Sequence, residues 1–349
     1  MSIEHTLLLN QANVRLLLIT ANTGSIFEKP DLLTAWLIEF ANLVRQHPSD
    51  FIALHCQEVG GKDYEKFMHT LDQFLKDFLE LPEISSDFTR YRLYFDSDYT
   101  SQEAFTALGC VYLIRQNLSV QQWNFTTSSF QVVVNRQIFA GNLVNAQTIR
   151  KEKYPKEFCP ESKWSRKGFT QTRWLINGFT FDLYISEKRS DLIHEIREEN
   201  SDEITKMIIK NEHNIPKLTI QKKEFNLHDN HDSFFNINTQ QARMFDFESS
   251  SFDDHIFEYE KTFPPSYPYS EEQHEARSYL RARCPAWCDR ILLSHSFKNI
   301  VDTQTENPTY DIIGYDVCVG DHKPVYLSLT IRLVQGWFYF SLLLLIIVY

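Results

Sequence analysis

A chain of 349 residues, 43% hydrophobic and 23% charged, is long enough for one large or two ordinary domains and apolar enough to bury a core. Ten Gly and twelve Pro exclude a collagen-like or low-complexity chain, and six unevenly spaced cysteines are too few for a disulfide framework. A net charge of -11 argues against general nucleic-acid binding, and the opening MSIEHTLLLN is a poor secretory signal, so the cytoplasm is the expected compartment.

Two early apolar runs predict buried strands ending in polar loops, at residues 14–20 (VRLLLIT) and 51–54 (FIAL). Between them, residues 32–44 carry apolar side chains at helical spacing, with Asp31 near the start. Strand, helix, strand of this size predicts a crossover unit, which brings Asn22 and Glu58 to the same sheet edge. A second amphipathic helix is predicted over 64–81, then strands over 91–95 and 105–114. Asn177-Gly178 between residues 169–176 and 179–185 predicts a tight hairpin. Residues 187–260 turn polar and acidic and predict a helix with a mobile loop, and order returns over 263–333 with a strand at 324–333. The uncharged tail GWFYFSLLLLIIVY is short for a membrane-spanning helix; a core strand and membrane association both stay open.

Several clusters suggest chemistry. His55-Cys56 with Lys62 approximates the loop of cysteine-dependent phosphatases, but a lysine cannot make arginine's planar two-bond clamp, and Glu58 would repel an anion there; a buried structural Cys56 is favoured. Glu58 with the Asn22 carboxamide suits a hard cation such as Mg²⁺ better. Asp321-His322 can orient an imidazole toward a phosphoryl oxygen, although a turn before the last strand explains it equally. Arg281, Arg283 and Arg290 surround Cys284 and Cys288, which lack a second ligand pair for zinc; with the basic stretch 150–173 they form patches suited to phosphate, or simply a solvated face. His228-Asp229-Asn230-His231-Asp232 reads as an exposed loop.

Taken in order, Thr20-Ala21-Asn22, Gln57-Glu58, Trp164-Ser165-Arg166-Lys167-Gly168, FPPSYPY at 263–269, CPAWCDRIL at 284–292 and GDHKPV at 320–325 resemble the inositol polyphosphate 5-phosphatases, specifically the type I enzymes. The resemblance implies an α/β (α+β) fold, the DNase I-like sandwich of two sheets flanked by helices, as one domain over 1–333 with an apolar tail at 334–349. It implies Mg²⁺-dependent removal of the 5-phosphate from inositol polyphosphates, inositol 1,4,5-trisphosphate and phosphoinositides included. Glu58 and Asn22 would belong to the metal site, and Asp321 would orient a catalytic His322. Arg166, Lys167, Arg173, Tyr267, Tyr269 and Arg283 would lie near substrate phosphates, with Trp287, Asp289 and Arg290 building the wall. The family's Asn-x-His and Gly-Asp-x-Asn elements are missing after Phe181-Asp182-Leu183-Tyr184-Ile185-Ser186, and Asn226-Leu227-His228 is a decoy. A deletion near 182–187 predicts an incomplete second sheet and impaired or lost turnover. A non-catalytic inositol-phosphate binder and a nuclease of the same superfold remain the alternatives. No cysteine follows Cys318, so the prenyl anchor of the type I enzymes is not expected.

Overall fold

The computed structural model describes residues 13–101, 103–153, 167–186, 256–280, 285–304, 306–332 and 341–348. The expectations for 187–255, for Arg166, Arg281 and Arg283, and for the 228–232 cluster lie outside these residues.

The unit that positions the site comes first in the chain. β1 (Asn13–Asn22) and β2 (Phe51–Gln57) are parallel, with Leu16 opposite Phe51 and Asn22 opposite Gln57. Between them run a short α1 (Gly24–Glu28) and α2 (Pro30–Gln46). Pro30 starts α2 with its φ preset, Asp31 and Arg45 complement the helix dipole, and Leu32, Trp36, Phe40, Leu43 and Val44 form its buried stripe. Trp36 stacks on Phe40 at 5.4 Å.

The predicted helix over 64–81 is broken. α3 (Tyr64–Phe67) passes through a 3₁₀ turn at Met68–Thr70 into α4 (Leu71–Glu80). The break turns Met68 inward, its side chain filling the space above Gly60, while Phe74 and Phe78 of α4 pack on Trp36 and Phe40. β3 (Arg90–Asp96) and β4 (Gly109–Ile114) follow. β4 starts later than its apolar run because Asp96 Oδ2 accepts from both Thr106 N and Oγ1, and Ala107 takes a φ of 56°.

Next come β5 (Val120–Asn124), β6 (Ser129–Val132), β7 (Arg136–Gly141) and β8 (Arg150–Lys153). β9 (Gly168–Ile176) and β10 (Phe179–Ser186) make the expected hairpin, Asn177 and Gly178 both adopting positive φ. The remaining strands are β11 (Ile256–Phe257), β12 (Asp289–Ser294), β13 (Thr309–Ile312), β14 (Val325–Arg332) and β15 (Ser341–Val348).

Two sheets result. The first runs β13-β14-β1-β2-β4-β3-β7 and the second β11-β12-β15-β10-β9-β5-β6, with β8 also on β9. Leu16, Leu18, Phe51, Tyr112, Trp174, Phe181, Ile291 and Leu327 meet in the core between them. The helices cover the other face of the first sheet, over Leu17, Ile19, Leu54 and Val111. This is the expected two-sheet α/β sandwich.

The expectation of an incomplete second sheet is overturned. β15 fills the place between β10 and β12, parallel to the first over Thr180–Ser186 and antiparallel to the second over Asp289–Leu293. A parallel strand inside a sheet reads as one unbroken apolar run, which is what SLLLLIIV is. Residues 341–348 of the apolar tail are therefore sheet in this structure; among the described residues no helix is long and apolar enough to cross a membrane.

Candidate active site

The carboxyl ends of β1 and β2 carry the first cluster. After β2 the chain turns sharply, with positive φ at Glu58, Gly60 and Gly61 (53°, 86° and 83°). A glutamate in the left-handed region costs on the order of 1 kcal/mol, so the turn must be held. Val59 N donates to Ala107 O and Gly61 N to Glu58 O, each at 2.9 Å. Asn22 Oδ1 accepts from Gly24 N at 3.0 Å. Gly24 is where the two oxygens converge: a Cβ there would lie 2.6 Å from Glu58 Oε2 and 3.2 Å from Asn22 Oδ1.

One carboxylate and one amide oxygen over a cradle that any side chain would fill suit a hard cation that keeps most of its water. Among the described residues no group of three or more His, Cys, Asp or Glu is arranged to hold a metal ion, so Glu58 and Asn22 are a sparse donor set. We expect Gly24→Ala to displace the Glu58 carboxylate, lowering divalent-cation affinity at least tenfold with little change in melting temperature. Titration calorimetry with Mg²⁺ beside a thermal melt checks this; unchanged affinity would contradict it.

The second cluster surrounds His322, in the turn before β14. Its Nδ1 lies 2.9 Å from Asp289 Oδ2, at the start of β12. The same Oδ2 accepts from Ser266 Oγ at 2.7 Å, and Asp289 N donates back to Ser266 Oγ at 3.1 Å. Tyr267 stacks on the imidazole with centroids 4.3 Å apart at 30°. The ring is thus fixed on one face and at Nδ1, leaving Nε2 as its other polar atom. Burial opposes the charged ring, but Asp289, Asp321 and Glu58 outweigh it and hold its pKa above the ordinary value. Ser25, next to Gly24 of the cradle, donates to Asp321, next to His322, so the two clusters adjoin.

Asp321 does not orient His322, contrary to the sequence-based expectation; Asp289 does. The Asp321 carboxylate instead meets Ser25 Oγ at 3.0 Å and Lys62 Nζ at 3.1 Å. Burial raises its pKa, but His322 and Lys62 outweigh this and keep it low.

Other expected binding residues have structural partners. Arg173 pairs with Asp182 at 2.8 Å and lies over Trp123, on the face of β9 turned away from the inter-sheet core. Arg290 is fully buried against Glu258, which also accepts from Lys261 and Tyr310. Tyr269 is buried against Tyr279 beneath the Lys323 ammonium, and Trp287 Nε1 donates to Phe263 O. These contacts brace the FPPSYPY and CPAWCDRIL segments. Lys167 is half-buried where β9 begins, and Tyr267 is held by His322.

Thiolate chemistry is disfavoured as expected, since burial pushes the Cys56 thiol far above its usual range. Burial also lowers the neighbouring His55 to about 3. Sequence reasoning passed over Ser25, Ser266 and Glu271 and used Lys62 only in the rejected thiolate reading. Their one legible signal is adjacency to the Asn22, FPPSYPY and Glu58 motifs.

A family model described as endonuclease/exonuclease/phosphatase family 2 matches residues 205–328. Inositol polyphosphate-5-phosphatase A of Rattus norvegicus is 35% identical over 384 aligned residues, covering 90% of this chain and 93% of the relative. The Homo sapiens protein of that name matches with the same identity and coverage. The chain belongs to the inositol polyphosphate 5-phosphatase family.

Proposed function

We propose that the chain hydrolyses the 5-phosphate of inositol polyphosphates, inositol 1,4,5-trisphosphate first among them, with Mg²⁺ held by Glu58 and Asn22. The observation that carries this reading is the His322 imidazole, clamped by Asp289 and joined to the Glu58–Asn22 cradle through Asp321 and Ser25, in a chain of this family. Bound Mg²⁺ would supply charge neutralisation on the phosphoryl oxygens and orient water. His322, whose pKa its anionic neighbours raise, donates from Nε2 to a phosphoryl oxygen as charge develops there. Asp289 fixes the ring's tautomer and direction, and Ser266 fixes Asp289. Four buried free cysteines, Cys56, Cys110, Cys288 and Cys318, suit the reducing cytoplasm.

We also propose that turnover is slow. The alignment to the rat relative spans 384 positions against 349 residues in this chain, in keeping with a missing internal segment. Two buried acceptors, Gln57 Oε1 and Asp289 Oδ1, have no donor among the described residues. β15, in the place between β10 and β12, has the sequence SLLLLIIV. Loss of a water-activating base lowers rate by roughly 10²–10⁴. The test is release of inorganic phosphate from inositol 1,4,5-trisphosphate with and without Mg²⁺, the organic product being identified. Mg²⁺-dependent formation of the 1,4-bisphosphate, well below the rate of an intact relative, is expected. Tight binding with no release would assign the chain as a binder instead.

A further inference from the structure

Glu58, Glu271 and Asp321 gather carboxylates around Lys62, with Asp289 buried behind His322, a poor surface for a substrate carrying several phosphates. Two lysines stand against them, Lys29 on Glu271 and Lys62 on Asp321. Lys62 Nζ is 3.1 Å from Asp321 Oδ2 and 3.9 Å from Glu271 Oε1, and its side chain is 51% exposed. Its backbone is fixed: Lys62 N donates to Glu28 Oε1 at 2.7 Å, at the end of the turn that begins at Glu58. Glu271 is fixed in turn by Lys29 Nζ at 3.0 Å and by a hydrogen bond from Ser25. Lys62 therefore hangs from a rigid anchor, and its ammonium rests on two carboxylates, one of them next to His322 in sequence.

We infer that Lys62 is a substrate-binding residue for the phosphate that is cleaved: its ammonium passes from Asp321 and Glu271 to an oxygen of the 5-phosphate when substrate enters. This rests on the reading given under Proposed function. A lysine suits the task because its ammonium is a compact charge on a flexible four-carbon stem, able to exchange one oxygen partner for another. A dianionic phosphate between a cation on Glu58 and the His322 ring offers it a stronger partner than either singly charged carboxylate. Glu271 then acts as a competitor that parks the ammonium, not as a group that assists binding.

The geometry makes the three effects separable. Binding of inositol 1,4,5-trisphosphate and of inositol 1,4-bisphosphate is measured by titration calorimetry with Mg²⁺, in the His322→Ala background so that substrate persists. Lys62→Met should weaken the trisphosphate about tenfold, as befits one charged hydrogen bond at a half-exposed site, and leave the bisphosphate within about twofold. Lys62→Arg should restore most of the loss. Glu271→Gln should tighten the trisphosphate, whereas a purely structural role for the Lys62–Glu271–Asp321 contacts predicts weakening. Equal losses for both ligands with Lys62→Met, or weaker binding with Glu271→Gln, would overturn the inference. If the trisphosphate binds no better than the bisphosphate before Lys62 is changed, the reading of the site itself fails instead.

Discussion

Replacing Asp289 with asparagine should lower turnover by about 10²–10⁴, the range expected when a general acid loses its protonation state and alignment. Asparagine keeps the volume and can still accept from Ser266 Oγ, so the fold is preserved while the charge on His322 Nδ1 is removed. In the wild type, burial lowers the His322 pKa but Asp289, Asp321 and Glu58 more than offset it. Without Asp289 the burial effect gains weight and the pKa falls. Activity that needs the imidazolium is lost as pH rises through the folded-state value, so the alkaline limb of the variant moves to lower pH. The stability sign agrees. A raised folded-state pKa contributes stability fully present below the unfolded value near 6.5 and lost as pH rises through the folded value. The variant should lose that slope. A pH–rate profile and pH-dependent melts check both; a variant with wild-type turnover and an unmoved alkaline limb would contradict the assignment of Asp289.

Removing residues 333–349 should lower the melting temperature by roughly 10 °C, or leave a chain that aggregates. β15 lies inside the second sheet with hydrogen-bonded partners on both sides, so its loss unpairs the facing edges of β10 and β12. A loss of several kcal/mol from a domain of this size corresponds to a shift on that order. The effect should reach the site, because Val348 is registered against Asp289, which holds His322. The measurement is a melt of the truncated chain beside the full one, with turnover on both. A truncated chain that melts with the full one would show that β15 does not bear on the sheet.

Much of the scaffold was legible because its signals are local. The VRLLLIT and FIAL runs with an amphipathic helix between them specify a parallel crossover, and Asn177-Gly178 specifies a hairpin. The convergence of Asn22 and Glu58 follows from that crossover alone. What was not legible depends on non-local pairing. The tail's apolar run fits a strand or a membrane segment equally until β10 and β12 are seen to flank it. Asp321 adjoins His322 in sequence, yet it is Asp289, 33 residues away, that holds the ring. Arg173 and Arg290 read as phosphate ligands because arginine patches do, but each has a buried carboxylate partner contributed by another segment. Lys62 drew no notice as a binder because its significance comes from Asp321, 259 residues away.

The most direct test of the account is 5-phosphate release from inositol 1,4,5-trisphosphate by the purified 349-residue chain, measured beside Glu58→Gln and His322→Ala across a Mg²⁺ titration. The account predicts slow release that requires Mg²⁺, a Mg²⁺ requirement shifted to much higher concentration in Glu58→Gln, and release reduced to background in His322→Ala at any Mg²⁺. Release that persists unchanged in His322→Ala, or that ignores Mg²⁺, would contradict it.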